Sequence, residues 1–339
     1  MSGRTRRPKR GRRNTTIRHV HCICGGGPDR ILSLEEFNQE FPDAGLVHLP
    51  QDMFAFGFKH NQLLVYRSNP SPYLTEFIRK KIHPHIQRDS YYLVACYFDG
   101  YAEHMPPPTF PLTYYYAPPT EFEGAGRITS SDPGRYPLLH RKKAVLCFSK
   151  RATDTYSIPI PDPYYMNETI AARLSETAAN KIPWEKKLQR CVWRGTVVNG
   201  GPTGIRASFV ARHAKGAFPL VDYATTPLSI PEQMNYRYLL DLNGWTNSWD
   251  ATVWKLSSGS VVLKADGDWE QWYYPMMKPW VHYIPVRRDL RDLNEQIEWC
   301  IAHDAEAAAI AAAGENFIRE MMRPEVVIKH TLEHIRRAL

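Results

Sequence analysis

Nowhere in its 339 residues does the chain run to about 18 consecutive apolar side chains, so no membrane-spanning helix is expected. Cysteine is sparse: six, at 22, 24, 96, 147, 191 and 300, too few for a disulfide scaffold. Cys96, Cys147 and Cys191 sit in apolar, strand-like runs and read as small buried hydrophobes. That implies reduced thiols and a cytoplasmic protein. A secretory signal needs an apolar stretch of about 7–15 residues after its basic start. Here the basic run leads instead to Asn14-Thr15-Thr16-Ile17. A secretory lumen would require a signal already removed. His19, His21, Cys22 and Cys24 offer metal-ligating atoms, but their spacing fits no zinc pattern and no second pair follows. The segment reads as a strand entering the Gly25-Gly26-Gly27 turn, and no metal is expected. Those glycines also lack the Lys-Ser/Thr that would make a P-loop.

Acid is missing from the first 18 residues, where Arg4, Arg6, Arg7, Lys9, Arg10, Arg12, Arg13 and Arg18 all fall. The whole chain carries 43 Lys+Arg against 35 Asp+Glu, a formal charge of +8, so residues 19–339 are neutral overall. The basicity describes a disordered tail, not a basic folded surface. Any nucleic-acid contact would therefore run through residues 1–18 and be accessory at most.

What remains is ample for buried cores: 43% hydrophobic and 12% aromatic residues, at a length that suggests two domains. Ser33 and Glu36 form a capping box that opens a short helix. Further helices are expected at 72–82 and 167–180, with buried strands at 91–98 and 144–148. Residues 105–137, rich in Pro, Tyr and Gly, read as a long loop. After Pro183 strands and helices alternate. Strands are expected at 190–194, 219–222, 237–242, 260–264 and 281–286, and helices at 203–213, 252–258, 289–301 and 304–322. Pro324 suits the first turn of a last helix, 325–338. Such alternation argues a parallel α/β sheet.

Several blocks stand in order over 184–320: Trp184-Glu185-Lys186-Lys187, Val192-Trp193-Arg194-Gly195-Thr196 with Arg206, and Tyr236 through Asn243-Gly244. Ser258-Gly259-Ser260 through Lys264 follows, then Trp269 through Pro275 and Lys278 through Val286. Together they closely resemble the CAP10/Rumi-like glycosyltransferases, family 90. The upstream likeness is thinner and rests on the strand ending in Asp99 and on 145–150. The resemblance implies an α/β GT-B architecture, with two Rossmann-like domains facing a cleft and the C-terminal helix packing back on the N-terminal domain. The expected division is a 1–18 tail, an acceptor-side domain at 19–182, a donor-binding domain at 183–323 and a terminal helix at 324–339. It further implies inverting transfer of xylose or glucose from a UDP-sugar to a glycan or protein hydroxyl, with no metal and no cofactor.

The resemblance also assigns roles. Asp99 would be the general base; by pattern alone Asp99-Gly100 reads first as a simple turn. Arg194, Gly195, Thr196 and Arg206 would meet the donor diphosphate at a strand's carboxyl end, where α/β folds place ligands. For Arg194 the plain alternative is a structural ion pair, and for Arg206 a solvated helix residue. Thr246, Asn247, Ser248, Trp249, Asp250, Trp254 and Lys255 belong to a second donor loop, the two tryptophans being either core or a wall for the uracil or sugar. Glu270 is a candidate for ribose hydroxyls, and Tyr101 and Asp162 for the acceptor. His282 reads as a hydrogen-bonded structural residue. One departure stands out: the family usually carries Arg where this chain has Ala251, with Lys255 as a substitute or Arg206 or Arg194 sharing the role. An impaired UDP- or sugar-binding relative is the alternative function. Deleting residues 1–18 is expected to abolish any salt-dependent nucleic-acid binding in a filter assay while leaving sugar transfer intact; a parallel loss of transfer would contradict a separable tail.

Overall fold

The computed structural model describes residues 30–44, 53–66, 72–96, 145–152, 157–197, 204–244, 246–247 and 249–339. The tail, the glycine turn, Asp99, Tyr101 and Ser248 lie outside the described residues.

The N-terminal half is built on a six-stranded sheet. Its strands are β1 (Arg30–Leu32), β2 (Met53–Lys59), β3 (Gln62–Tyr66), β4 (Ser90–Cys96), β5 (Val145–Cys147) and, after a short β6 (Lys150–Arg151) outside the sheet, β7 (Ile158–Pro159). The order is β1-β3-β2-β4-β5-β7. Helix α1 (Leu34–Glu40) opens on the expected box: the Glu36 N–H donates to Ser33 Oγ at 3.2 Å, and the Ser33 N–H to Glu36 Oε2 at 2.7 Å. Helix α2 (Pro72–Phe77) runs on into a π turn at Ile78–Ile82. The expected strand at 91–98 is realised as β4, and that at 144–148 as β5. This sheet is mixed, because β2 runs antiparallel to both β3 and β4. The reversal comes from His60 and Asn61, at φ 49° and 62°. Two left-handed residues in succession make the tight hairpin turn whose twist matches the strands.

Past β7 come α3 (Pro163–Met166) and α4 (Thr169–Ala179), then the second sheet. It contains β8 (Leu188–Trp193), β9 (Val221–Tyr223), β10 (Tyr236–Asp241), β11 (Val261–Ala265) and β13 (Ile284–Val286), all parallel. Between them lie α5 (Ile205–His213), α6 (Ile230–Gln233), α7 (Ala251–Leu256) and the two-residue β12 (Trp269–Glu270); α8 (Leu293–Ala302), α9 (Asp304–Met321) and α10 (Pro324–Ala338) follow. The order β13-β11-β10-β8-β9 is, in chain order, the 2-1-3-4-5 of a doubly wound sheet. Every residue of β11 is buried, as a strand covered on both faces must be. Cys191, Trp193, Tyr238, Leu240, Leu263 and Ile297 form its core. The α/β class and the two-sheet GT-B plan are thus both present.

Three features join the halves. The Trp269–Glu270 pair of β12 runs antiparallel to β6 of the other half, and the Ala152 N–H donates to Asp268 O at 2.8 Å. Helix α10 packs back onto the N-terminal half, with Val327 and Ile335 in one core with Phe56, Leu93 and Phe148. Arg336 Nη2 reaches His85 O at 3.2 Å. Helix α4, upstream of the expected boundary at 182, packs with the C-terminal half: Thr177 Oγ1 and Ser257 Oγ are 3.0 Å apart, and Arg319 Nη1 donates to Leu174 O at 3.2 Å.

The alanine-rich α9 is a packing helix, with Ala307, Ile310, Ala311 and Ile318 in the cores. A Cβ at Gly314 would stand 2.5 Å from the His282 carbonyl oxygen, so only glycine lets this helix lie on that loop. Gly→Ala inside a helix ordinarily stabilises by roughly 0.5–1 kcal/mol. Gly314→Ala is expected to destabilise instead, read as a lower urea midpoint; a raised midpoint would show that the loop yields.

Candidate functional site

A doubly wound sheet places its crevice where the strand order reverses, beyond the carboxyl ends of the flanking strands. Here those strands are β8 and β10. Beyond β8 stand Arg194, Gly195 and Thr196; beyond β10 stand Leu242, Asn243 and Gly244.

Arg206, in the first turn of α5, staples the two sides. Its Nε donates to Asn243 O at 3.1 Å, Nη2 to Leu242 O at 3.1 Å and Nη1 to Thr196 O at 3.2 Å. Carbonyl oxygens satisfy a guanidinium's N–H groups without cancelling its charge. Arg194 is placed differently: Nη2 pairs with Asp222 Oδ1 at 2.8 Å and Nη1 donates to Asp222 O at 2.7 Å. Burial works to raise Asp222, but the Tyr236 hydroxyl at 2.5 Å and Arg194 outweigh it and hold the carboxyl below its ordinary value. The ion-pair alternative thus describes Arg194 in this structure. Gly195 is required because a Cβ would meet the Trp193 ring at 2.7 Å.

Beneath the crevice lies a charged cluster that composition and spacing did not reveal. Asp241, the last residue of β10, stands directly across from Lys264 of β11 in the strand register. Lys255 Nζ is 2.6 Å from Asp241 Oδ1, Lys264 Nζ is 3.5 Å from Oδ2, and Thr252 Oγ1 donates to Oδ2 at 2.8 Å. The Tyr274 hydroxyl is 3.1 Å from Thr252 Oγ1, and its ring lies under Lys264 Nζ at 4.6 Å. The three charged side chains are 7–9% exposed. Burial alone would raise the Asp241 carboxyl; the two ammonium groups override it and hold it well below the usual carboxylate range. Two cations against one anion leave positive charge under the crevice. The signal in the sequence was a lone acid ending one apolar strand and a lone base near the end of the next.

The loop after β10 is pinned from the β12 side. Asn247 Nδ2 donates to Trp269 O at 3.0 Å, and Gln271 Nε2 donates to Asn247 O and, at 3.3 Å, to Trp249 O. Trp249 is 36% exposed and stacks obliquely on Tyr164, ring centroids 4.8 Å apart. Asp250 accepts Arg173 Nε at 2.8 Å. Thr246 stands half-buried in the same loop. Trp254, by contrast, is core, packed with Val192 and Leu239. Glu270 lies on the β6–β12 ribbon between the halves. The Asp162 carboxylate is buried as the cap of α3, receiving the Tyr164 and Tyr165 N–H groups at 2.9 and 3.2 Å. His282 accepts the Lys278 N–H at 3.0 Å and stacks on Phe317, a structural role. Arg194 through Thr196, Arg206 and Gly244 therefore gather at the crevice, with Lys255 buried beneath it, while Trp249 and Asp250 meet Tyr164 and Arg173 beside it.

Residues 167–336 match the model of the family described as Glycosyl transferase family 90. Among curated relatives, protein O-glucosyltransferase 2 of Danio rerio is 29% identical over 192 residues, 50% of this chain and 37% of that protein. Uncharacterized protein 035R of Invertebrate iridescent virus 3 is 35% identical over 113 residues, 33% of this chain and 10% of the viral protein. The chain thus spans well under half the length of these relatives. Among solved structures, Anabaena Alr3699/HepE in complex with UDP-glucose aligns over 70% of this chain and 72% of that one, at 12% identity and a TM-score of 0.39.

Asp241→Asn is expected to lower unfolding stability at neutral pH by about 3 kcal/mol, because two buried lysines lose their counter-ion. A carboxyl held low in the folded chain stabilises it above the ordinary value of 3.8, and that contribution is lost as the pH falls toward the folded value. The gap between wild type and variant in urea unfolding should therefore shrink in acid; a gap independent of pH would contradict the pairing.

Proposed function

Because the chain belongs to glycosyltransferase family 90, we propose that it is an inverting glycosyltransferase taking a UDP-sugar as donor and a protein or glycan hydroxyl as acceptor. The relatives named protein O-glucosyltransferase favour glucose over xylose as the sugar. One observation carries the reading: the 2-1-3-4-5 sheet opens its crevice between β8 and β10, bordered by Arg206 and underlain by the Asp241–Lys255–Lys264 cluster with its excess positive charge. No helix among the described residues is long and apolar enough to cross a membrane.

In this mechanism the diphosphate lies over the crevice, near Arg206 and the Gly195-Thr196 turn. Asp99 takes the acceptor hydroxyl's proton, its oxygen attacks the sugar C1, and the C1–O bond to UDP breaks with inversion. Negative charge grows on the departing UDP. Fixed positive groups facing that charge need no reorganisation during the step and supply the main electrostatic stabilisation. The Asp99 role comes from the family resemblance.

A second reading, the impaired binding relative, draws support from Ala251. Lys255, the substitute expected one turn on, is already committed to Asp241 at 2.6 Å. It contributes to the background field and does not project into the crevice as a free arm.

UDP release separates the two. Wild type is expected to release UDP from UDP-glucose or UDP-xylose with acceptor present, and Asp99→Asn to lose roughly 10²–10⁴-fold in rate. Tight UDP binding without turnover on either donor would favour the binding relative.

A further inference from the structure

The turn that leaves β7 grips the loop after β10 in a way that donor binding alone leaves unexplained. Trp249 sits at φ +79°. A bulky residue in that left-handed region is uncommon and persists only where its surroundings over-determine it. Those surroundings come from both halves. Gln271, behind β12, donates to the Trp249 carbonyl oxygen at 3.3 Å. On the other side, the Trp249 N–H faces the Asp162 carboxylate, the same group that caps α3 by accepting the Tyr164 and Tyr165 N–H groups at 2.9 and 3.2 Å. Tyr164 lays its ring against the Trp249 ring, and Arg173 holds the neighbouring Asp250 at 2.8 Å.

A turn cap by itself does not call for a buried ionisable group, since Ser or Asn serves at an exposed turn. Asp162 is only 6% exposed. Burial pushes its carboxyl up to about 6, with Asp250 adding to the rise and the three N–H groups working against it. The chain thus keeps an unfavourably buried acid at the point where the two halves meet on this loop.

We propose, resting on the reading of 242–250 as the donor loop, that Asp162 is a positioning residue. It clamps the left-handed Trp249 turn from the N-terminal half and presets the loop for the sugar nucleotide. A preset loop has less freedom to lose when the donor binds, so the clamp acts on donor affinity.

Hydrogen–deuterium exchange of the full chain, wild type beside Asp162→Asn and Asp162→Ala, tests this together with UDP titration. In the Ala variant, the amides of 246–250 should exchange about tenfold faster while β10 and α9 keep their wild-type rates, and the UDP Kd should rise about tenfold. Asn keeps one carbonyl oxygen as acceptor and should fall between; it also serves if the Ala variant does not fold. Unchanged exchange at 246–250 would overturn the proposal. So would equal acceleration across β10 and α9, which would make Asp162 a general structural carboxylate, or a loosened loop with unaltered UDP affinity. If wild type bound no UDP, the donor reading would fall, and the exchange pattern alone would decide the clamp.

Discussion

Two lysines share one buried carboxylate at the ends of β10 and β11, and much of the C-terminal half is arranged around that fact. Leaving a buried charge without a partner is strongly destabilising. Asp241 is therefore fixed by Lys264 from the neighbouring strand and by Lys255 and Thr252 from α7. That fixes how α7 sits on the sheet, and with it where the loop from β10 to α7 must travel. At the crevice between β8 and β10, Arg206 ties Leu242 and Asn243, the first residues of that loop, to the turn after β8. The charge pattern that holds the fold together is also the one that makes the crevice attractive to an anion.

The second constraint is that the halves are not independent. They share a hydrophobic core in which Phe56, Leu93 and Phe148 meet Val253, Leu256 and Ile318. The β6–β12 ribbon, helix α10 and the Asp162–Trp249 contact bind them further. The crevice loop is held between the β12 region and the turn after β7, so its shape depends on both halves.

The C-terminal half was largely legible in the sequence because a covered parallel strand is written as a continuous apolar run. The expected strands at 237–242 and 260–264 differ from β10 and β11 by a single residue at each end. The capping box at Ser33 was equally plain, being local chemistry. The β2–β3 hairpin escaped notice: its apolar residues do not alternate cleanly with polar ones, and its turn uses His60-Asn61 where a glycine would have announced it. The Asp241–Lys264 pair depends on strand register, which no single segment encodes. Arg194 was recognised as notable, but its partner Asp222 lies on a different strand. Trp254 and Trp249, five residues apart, looked alike; only the packing of α7 makes one core and leaves the other partly exposed.

The charge pattern of the C-terminal half puts the donor diphosphate in the crevice between β8 and β10. A crystal structure of the chain with UDP tests it most directly. Phosphate oxygens are expected within hydrogen-bond reach of Arg206 or the Gly195-Thr196 turn, with the uracil toward the 242–250 loop. UDP bound elsewhere would contradict it, for example in the hollow of ≈ 420 Å³ lined by His85, Arg88 and Arg336.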